Sequence, residues 1–143
     1  MKWIVFGVLL GACASGEEGV DDTGVKEGCG DPSLHDITVQ FAVEDETGNG
    51  VSNLDVRLEE RNWDPAVLGE SSTDGQGRGD LLAVGVTDLP NCWGTMLSYM
   101  VVVEDSSGYY ATAEKGINSY LYGAIEDGSL EADLTAFPLV VTR

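Results

Sequence analysis

The chain from His35 onward alternates hydrophobic and polar residues with a period of two rather than 3.6. This period is typical of a β-strand with one buried face. The two clearest runs lie at 37–43 and 54–58, with their apolar side chains at Ile37, Val39, Phe41 and Val43 and at Leu54, Val56 and Leu58. Both runs predict strands that contribute one face to a hydrophobic core.

Weaker alternation predicts further strands at 67–73, 79–84, 97–104, 109–114 and 130–141. The Gly, Asp, Asn and Ser residues between these runs are typical of tight turns. No stretch of ten residues carries a capped apolar stripe at helical spacing. We therefore predict an all-β protein with a single antiparallel β-sandwich of about seven strands. Pro138 predicts that the last strand lies at an edge or carries a bulge.

The first twelve residues have a different pattern. Lys2 is their only charge, and residues 3–10 form an apolar run. A positive start, a short apolar centre and small residues at the end are the parts of a secretion signal. The run is too short to span a membrane, which takes about 20 apolar residues.

The end of this segment, Leu10-Gly11-Ala12-Cys13, resembles the lipobox of bacterial lipoproteins. The resemblance implies cleavage before Cys13, a diacylglyceryl group on its thiol and acylation of the new amine with a chain such as palmitate. Two or three acyl chains hold a protein firmly to a bilayer, whereas one is marginal. Ala14 rather than Asp after the cysteine favours the outer membrane of the bacterial cell envelope. The alternative is an ordinary signal peptide cleaved nearby, which would leave Cys13 as a free thiol.

The net charge of the chain excludes some classes of binding partner. The chain has 25 acidic and 7 basic residues and a formal net charge of −18, which excludes nucleic acid as a ligand and argues against attraction to anionic lipid headgroups. Residues 14–34 are Gly-rich, acidic and nearly devoid of apolar side chains, so they predict an extended tether that reaches at most about 70 Å. The predicted organisation is a signal peptide at 1–12, a tether at 13–34 and a β-sandwich domain at 35–143.

The chain has three cysteines. If Cys13 carries lipid, Cys29 and Cys92 remain as an even pair in an oxidising compartment, and we predict a disulfide between them. The bridge would close a loop of 64 residues (92 − 29 + 1) and stabilise the fold by about 4 kcal/mol in the loop-entropy model. A zinc site is disfavoured because His35 is the only histidine and no CxxC motif occurs.

Three short motifs resemble the carboxypeptidase-regulatory-like, or transthyretin-like, β-sandwich. They are Val39-x-Phe41 with Asp45-x-x-Gly48-x-Gly50-Val51-x-Asn53-x-x-Val56-x-Leu58, then Ser72-Thr73-Asp74-Gly75-Gln76-Gly77-Arg78, then Tyr99-x-Val101-x-Val103 with Gly108-Tyr109. The similarity covers about half of the chain and implies a related sandwich fold. The usual proline before Val51 is replaced by Gly50, and 84–94 resembles an insertion that carries Cys92.

The sequence offers no catalytic residues that we can assign. Nucleophilic triads need a base, and the one histidine, His35, lies where the tether meets the domain, so we expect it to be solvated or to cap a turn. Ring-opening transthyretin-like enzymes and ring-cleaving dioxygenases of related fold need several histidines. Adjacent carboxylates such as Glu59-Glu60 and Glu104-Asp105 are expected in solvated turns. We predict a non-enzymatic protein with no cofactor and no metal.

The expected role is therefore structural or binding, with the membrane as the partner of Cys13 and a protein or carbohydrate as a possible ligand. The alternative from another class is a carbohydrate- or calcium-binding accessory or adhesion domain. Trp63-Asp64-Pro65 and Tyr120-Leu121-Tyr122 are candidates for an exposed aromatic platform. Asp45, Glu46 and Asp74 are candidates for calcium ligands if they share one end of the sandwich.

Overall fold

The structure is a computed structural model that describes residues 33–61, 65–88, 98–124 and 128–143. Its order of elements is β1 (Ser33–Asp45), β2 (Asp55–Glu60), β3 (Ala66–Ser72), β4 (Arg78–Asp88), β5 (Tyr99–Glu104), β6 (Ala113–Gly116), a 3-10 turn (Asn118–Tyr120), β7 (Leu121–Ala124), β8 (Ser129–Asp133) and β9 (Leu139–Val141). The described part contains no α-helix. The predicted all-β fold is confirmed.

Two sheets form a sandwich-like fold. The first sheet has the order β4-β1-β8-β7, with β9 also paired to β1, and the second has the order β3-β2-β5-β6. Most pairs are antiparallel, but β8 and β9 both run parallel to β1. Nine described strands replace the seven that the pattern predicted, since the run at 130–141 divides in two and β7 was not foreseen.

The alternation of the longest runs reflects burial between the sheets. The core consists of every second residue of the main strands, including Ile37, Val39, Phe41 and Val43 from β1, Val56 and Leu58 from β2, and Tyr99, Val101 and Val103 from β5. Each fully buried aliphatic or aromatic side chain of this kind contributes about 1.5–3 kcal/mol. The core thus depends on the residues whose spacing predicted the strands.

Pro138 lies in the interruption between β8 and β9. A turn closed by the bond from the Phe137 amide to the Leu134 carbonyl separates the two strands, and β9 then pairs with β1 from Val43 to Asp45. Proline has no amide hydrogen to donate, and this position does not require one. The last strand is accordingly a short edge strand, as the proline predicted.

The outer faces of the two sheets differ in composition. On the second sheet, Arg57 forms ion pairs with Glu59 and Glu104, and Arg61 with Glu59 and Glu114. Arg57 and Glu114 stand opposite Val102 on the neighbouring strands, and Val102 has no exposed surface. The first sheet instead exposes its apolar side chains Leu34, Leu82 and Val84.

The strands define two ends of the sandwich. At one end, β1 and β9 finish at Asp45 and Val141, while β2 starts and β5 finishes at the paired residues Asp55 and Glu104. We call this the turn end. At the other end β1 begins at Ser33, opposite Asp88 at the end of β4. We call this the His35 end.

Candidate functional site

Three turns of one design form the turn end. Each begins with Asp-x-x-Gly: Asp45 to Gly48, Asp74 to Gly77 and Asp105 to Gly108. In each, the glycine amide donates to the aspartate carbonyl at 2.9–3.0 Å. The three glycines have φ values of +83°, +75° and +73°, in the left-handed region that glycine adopts without a steric penalty.

The aspartate side chains stabilise these turns. Each carboxylate accepts the amide of the residue two positions later, from Thr47, Gln76 and Ser107, at 2.8–2.9 Å. Each also accepts the amide four positions later, from Asn49, Arg78 and Tyr109, at 2.9–3.0 Å. The loops are therefore held by charge-assisted hydrogen bonds that begin at their first residue.

These hydrogen bonds favour the ionised carboxylates. The pKa of Asp45 is lowered mainly by the hydroxyl of Thr47, and that of Asp105 mainly by the hydroxyl of Ser107. The pKa of Asp74 is lowered mainly by the amide of Arg78. Part of the negative charge of the chain therefore has a structural use, which its composition did not reveal.

Two of the turns interlock. An ideal Cβ on Gly50 would lie 2.0 Å from the Gln76 carbonyl oxygen, and one on Gly77 would lie 2.4 Å from the Val43 carbonyl oxygen. The amide of Val43 donates to the Gly77 carbonyl at 2.7 Å. The Gly50 that replaces the usual proline thus allows the 45–50 and 74–77 backbones to touch.

A pair of tyrosines follows the third turn. The second oxygen of Asp105 accepts the amides of Tyr109 and Tyr110, each at 3.0 Å. The two rings meet edge to face, with centroids 4.8 Å apart and planes at 88°. Tyr109 is 55% exposed, whereas Tyr110 packs against the core. The guanidinium carbon of Arg143 lies 5.0 Å from the Tyr109 centroid.

Tyr110 lines two hollows. The larger, about 380 Å³, is lined by both tyrosines together with Asn53, Ser106 and Ser107 among others. The smaller, about 150 Å³, is lined by Tyr110, Asp45, Glu46, Thr47, Val141 and Arg143. The turn end therefore combines an aromatic surface with hydroxyl, amide, carboxylate and guanidinium groups. We call this surface, from 45–50, 52–54, 105–110 and 141–143, the tyrosine site.

The sequence had indicated a different aromatic site. Trp63 and Asp64 lie outside the described residues. Tyr120 is half-buried and packs beside Phe137 at 5.5 Å, with the Lys115 ammonium 5.7 Å from its ring. Tyr122 lies on β7, where its hydroxyl bonds to Glu131 and its pKa is raised by that bond. The segment 120–122 is thus a 3-10 end and a strand rather than a loop.

The expectation that His35 is solvated or caps a turn was wrong. His35 is 1% exposed, on β1 opposite Val86, and neither ring nitrogen has a hydrogen-bond partner among the residues that the structure describes. The histidine lies two residues inside β1 rather than at a flexible junction, and the strand therefore carries it into the interior.

The predicted calcium ligands do share one end of the sandwich. Asp45 and Asp74 belong to the two interlocked turns, but their carboxylates already accept backbone amides. Across 33–61, 65–88, 98–124 and 128–143, no group of three or more His, Cys, Asp or Glu side chains is arranged to hold a metal ion. Cys13, Cys29 and Cys92 lie outside these ranges, so their predicted roles remain predictions.

No protein-family model matches the chain, and no curated protein sequence matches it. Among solved structures, it is similar to 3-chlorocatechol 1,2-dioxygenase from Rhodococcus opacus 1CP, with 11% identity, a TM-score of 0.49 and coverage of 79% of this chain and 62% of that one. It is also similar to a 9R-lipoxygenase from Cyanothece PCC8801, with 18% identity, a TM-score of 0.38 and coverage of 78% and 16%. The chain therefore spans less than two thirds of either protein, and neither likeness bears on function.

In the part of the chain that the structure describes, no helix has the length and apolar character needed to cross a membrane.

Proposed function

We propose that the protein is a lipid-anchored component of the bacterial cell envelope whose β-sandwich is a non-enzymatic binding module. The observation that carries this proposal is that the two ends of β1 lie at opposite ends of the domain. β1 begins at Ser33, within the last two residues of the predicted tether, and its 13 residues extend about 40 Å to the turn end. An anchor at Cys13 would therefore connect to the domain at the end opposite the tyrosine site.

A binding role suits the groups at the turn end better than catalysis. Tyrosine, serine, asparagine and arginine are the residue types that rigid recognition surfaces use most. The one histidine of the chain is buried at the other end of the sandwich, remote from the tyrosine site. General base catalysis at the turn end would thus lack the side chain most often used for it.

The register of β1 and β4 supports the predicted disulfide. Ser33 pairs with Asp88 and Leu34 with Thr87, so paired residue numbers sum to 121 (33 + 88; 34 + 87). The numbers of Cys29 and Cys92 have the same sum (29 + 92 = 121). Cys29 precedes Ser33 by four residues and Cys92 follows Asp88 by four residues, so both cysteines lie the same short distance along the chain from the last described pair of β1 and β4. We propose that this bridge fastens the tether to the domain.

The anchor is tested by detergent partitioning and intact mass of the protein isolated from bacterial membranes. We expect the native protein to enter the detergent phase and to begin at an acylated Cys13. The Cys13→Ala variant should stay in the aqueous phase, and the neighbouring Ser15→Ala variant should behave as the native protein does. Native protein that stays aqueous at an unlipidated mass would overturn the anchor.

The disulfide is tested by thiol counts on denatured, exported protein with and without reductant. We expect two additional thiols after reduction of the native protein, and one free thiol without reduction in either Cys29→Ser or Cys92→Ser. Equal counts with and without reductant in the native protein would show that the bridge does not form.

A further inference from the structure

The tyrosine site has features that define the chemistry of a ligand. We propose that it binds a neutral oligosaccharide, with Tyr109 and Tyr110 as the contact surface between two hollows that each take one sugar ring. This proposal names the ligand of the binding module proposed above, and it rests on that proposed function.

The tyrosine pair is held in place before any ligand arrives. Asp105 binds both tyrosine amides, the rings meet edge to face at 4.8 Å, and Tyr110 is fixed against the core. The Ala111 amide donates to the Thr142 carbonyl at 2.8 Å, which ties this segment to the end of the last strand. A rigid aromatic ring offers a large apolar surface at a low cost in entropy, and the C–H face of a pyranose is complementary to it.

The polar groups around the rings match sugar hydroxyls. A hydroxyl both donates and accepts, so it needs partners of both kinds within a small space. Asn53, Ser106 and Ser107 supply both kinds in the larger hollow. In the smaller hollow, the Glu46 carboxylate accepts and the Arg143 guanidinium donates. Each hollow thus has a polar rim beside a shared aromatic wall.

The hollows are small. The larger, at about 380 Å³, lies near the lower limit of typical ligand pockets, and the smaller, at about 150 Å³, lies below it. This size suits single rings of a chain rather than one large compact ligand. Tyr110 lines both hollows, which suits a chain that contacts this ring from one hollow to the other.

Charge and backbone geometry disfavour two other ligands. Residues 35–143 carry 19 acidic and 5 basic groups, a net charge of −14 (5 − 19), which repels acidic polysaccharides. An extended peptide would add to a free strand edge. At this end the strands stop, and aspartate carboxylates already occupy turn amides that a peptide would need.

The proposal is tested by calorimetric titration of the full chain in detergent with maltohexaose, cellohexaose and chitohexaose. We expect saturable binding of at least one of the three at millimolar concentration. Tyr109→Ala should weaken that binding at least about tenfold. Tyr122→Ala is the matched control, because Tyr122 is 54% exposed against 55% for Tyr109 and lies on another surface, and it should bind as the native protein does.

Three outcomes would overturn the proposal: no saturable binding of any of the three sugars, binding that survives Tyr109→Ala, or tighter binding of hexalysine or hexagalacturonate than of the neutral sugars. The titration does not require the lipid. Failure of the anchor would appear in partitioning and mass, whereas failure of the sugar site would appear here alone.

Discussion

The two ends of the sandwich differ in how well their polar groups are hydrogen-bonded. At the turn end, the carboxylates of Asp45, Asp74 and Asp105 each accept at least two backbone amides of their own loop. At the His35 end, the buried imidazole of His35 has no hydrogen-bond partner for either nitrogen within the described part of the chain. An exposed loop is therefore better satisfied than a position inside a strand. Stability in this domain therefore does not follow burial alone, which substitutions at each end can test.

The largest effect is expected from Gly50→Ala. Its Cβ would lie 2.0 Å from a backbone oxygen of the 74–77 turn, so the two interlocked turns would have to separate. We expect a loss of about 3 kcal/mol in the free energy of unfolding, measured by urea denaturation. Gly75→Ala, in the neighbouring turn, meets no atom within 4 Å and should change stability by less than about 0.5 kcal/mol. Similar losses in both variants would contradict the interlock.

The next largest effect is expected on the stability of the fold at low pH. The pKa values of Asp45, Asp74 and Asp105 are lowered in the folded state, so the unfolded chain binds protons first as the pH falls. The stabilisation from these groups is therefore complete above the unfolded pKa, near 4, and is lost as the pH falls through the lower folded values. We expect the melting temperature to decline below about pH 4.

The variant Asp105→Asn tests whether the turn aspartates cause the fall in melting temperature at low pH. An amide nitrogen cannot accept the hydrogen bonds that Tyr109 and Tyr110 donate to the second carboxylate oxygen. We expect a lower melting temperature at pH 7 and a flatter acid profile. Asp80→Asn removes the same charge from an exposed strand position and serves as the control. An equal change in both variants would indicate a general charge effect rather than a turn effect.

At the other end, His35→Leu should stabilise the protein. Leucine has a volume close to that of histidine and leaves no unpaired nitrogen in the interior, so we expect a gain of about 1 kcal/mol in urea denaturation at pH 7. His35→Gln keeps a polar group there and should give no gain. A loss of stability in His35→Leu would show that the imidazole makes a favourable interaction, and the contrast between the two ends would then disappear.

The smallest effect should come from Tyr109→Ala. More than half of this side chain is exposed, and its ring contacts are Tyr110 and the Arg143 guanidinium, so we expect a loss of about 0.5 kcal/mol. Such a small loss of stability would show that the Tyr109 ring, unlike the aspartate carboxylates of the turns, contributes little to folding. A loss as large as that of Gly50→Ala would mean that the ring is part of the core rather than a binding group.

Much of the sandwich could be predicted because its central strands have one buried face. β1, β2 and β5 alternate clearly, and each buries the residues that the pattern selected. β6 was misplaced: Tyr109 and Tyr110 were assigned to a strand, but Asp105 binds their amides in the turn and the strand starts at Ala113. β7 was not predicted because Gly123, which has a φ of +112°, interrupts the alternation of apolar and polar residues. The parallel partners of β1 were also missed, since alternation identifies a strand but not its neighbours.

The candidate site was less predictable than the fold. The signal that could have found it was the spacing Asp-x-x-Gly, which occurs at Asp45, Asp74 and Asp105 and predicts three similar turns. Their convergence at one end depends on how the strands are connected. Tyr109 and Tyr110 were visible as aromatics, but nothing in the local sequence separates an exposed tyrosine from one that packs on a core. Burial of His35 was hidden in the same way.

The second position of each of the three turns, occupied by Glu46, Gly75 and Ser106, is exposed and takes no part in the bonds to the aspartate carboxylate. Side chains at these places can change without cost to the backbone conformation. Related proteins that keep the three aspartates and glycines could therefore differ in what they bind while sharing the same loop shapes. The loops of the turn end would then keep one backbone conformation while their exposed side chains vary, and ligand preference would change faster than the fold.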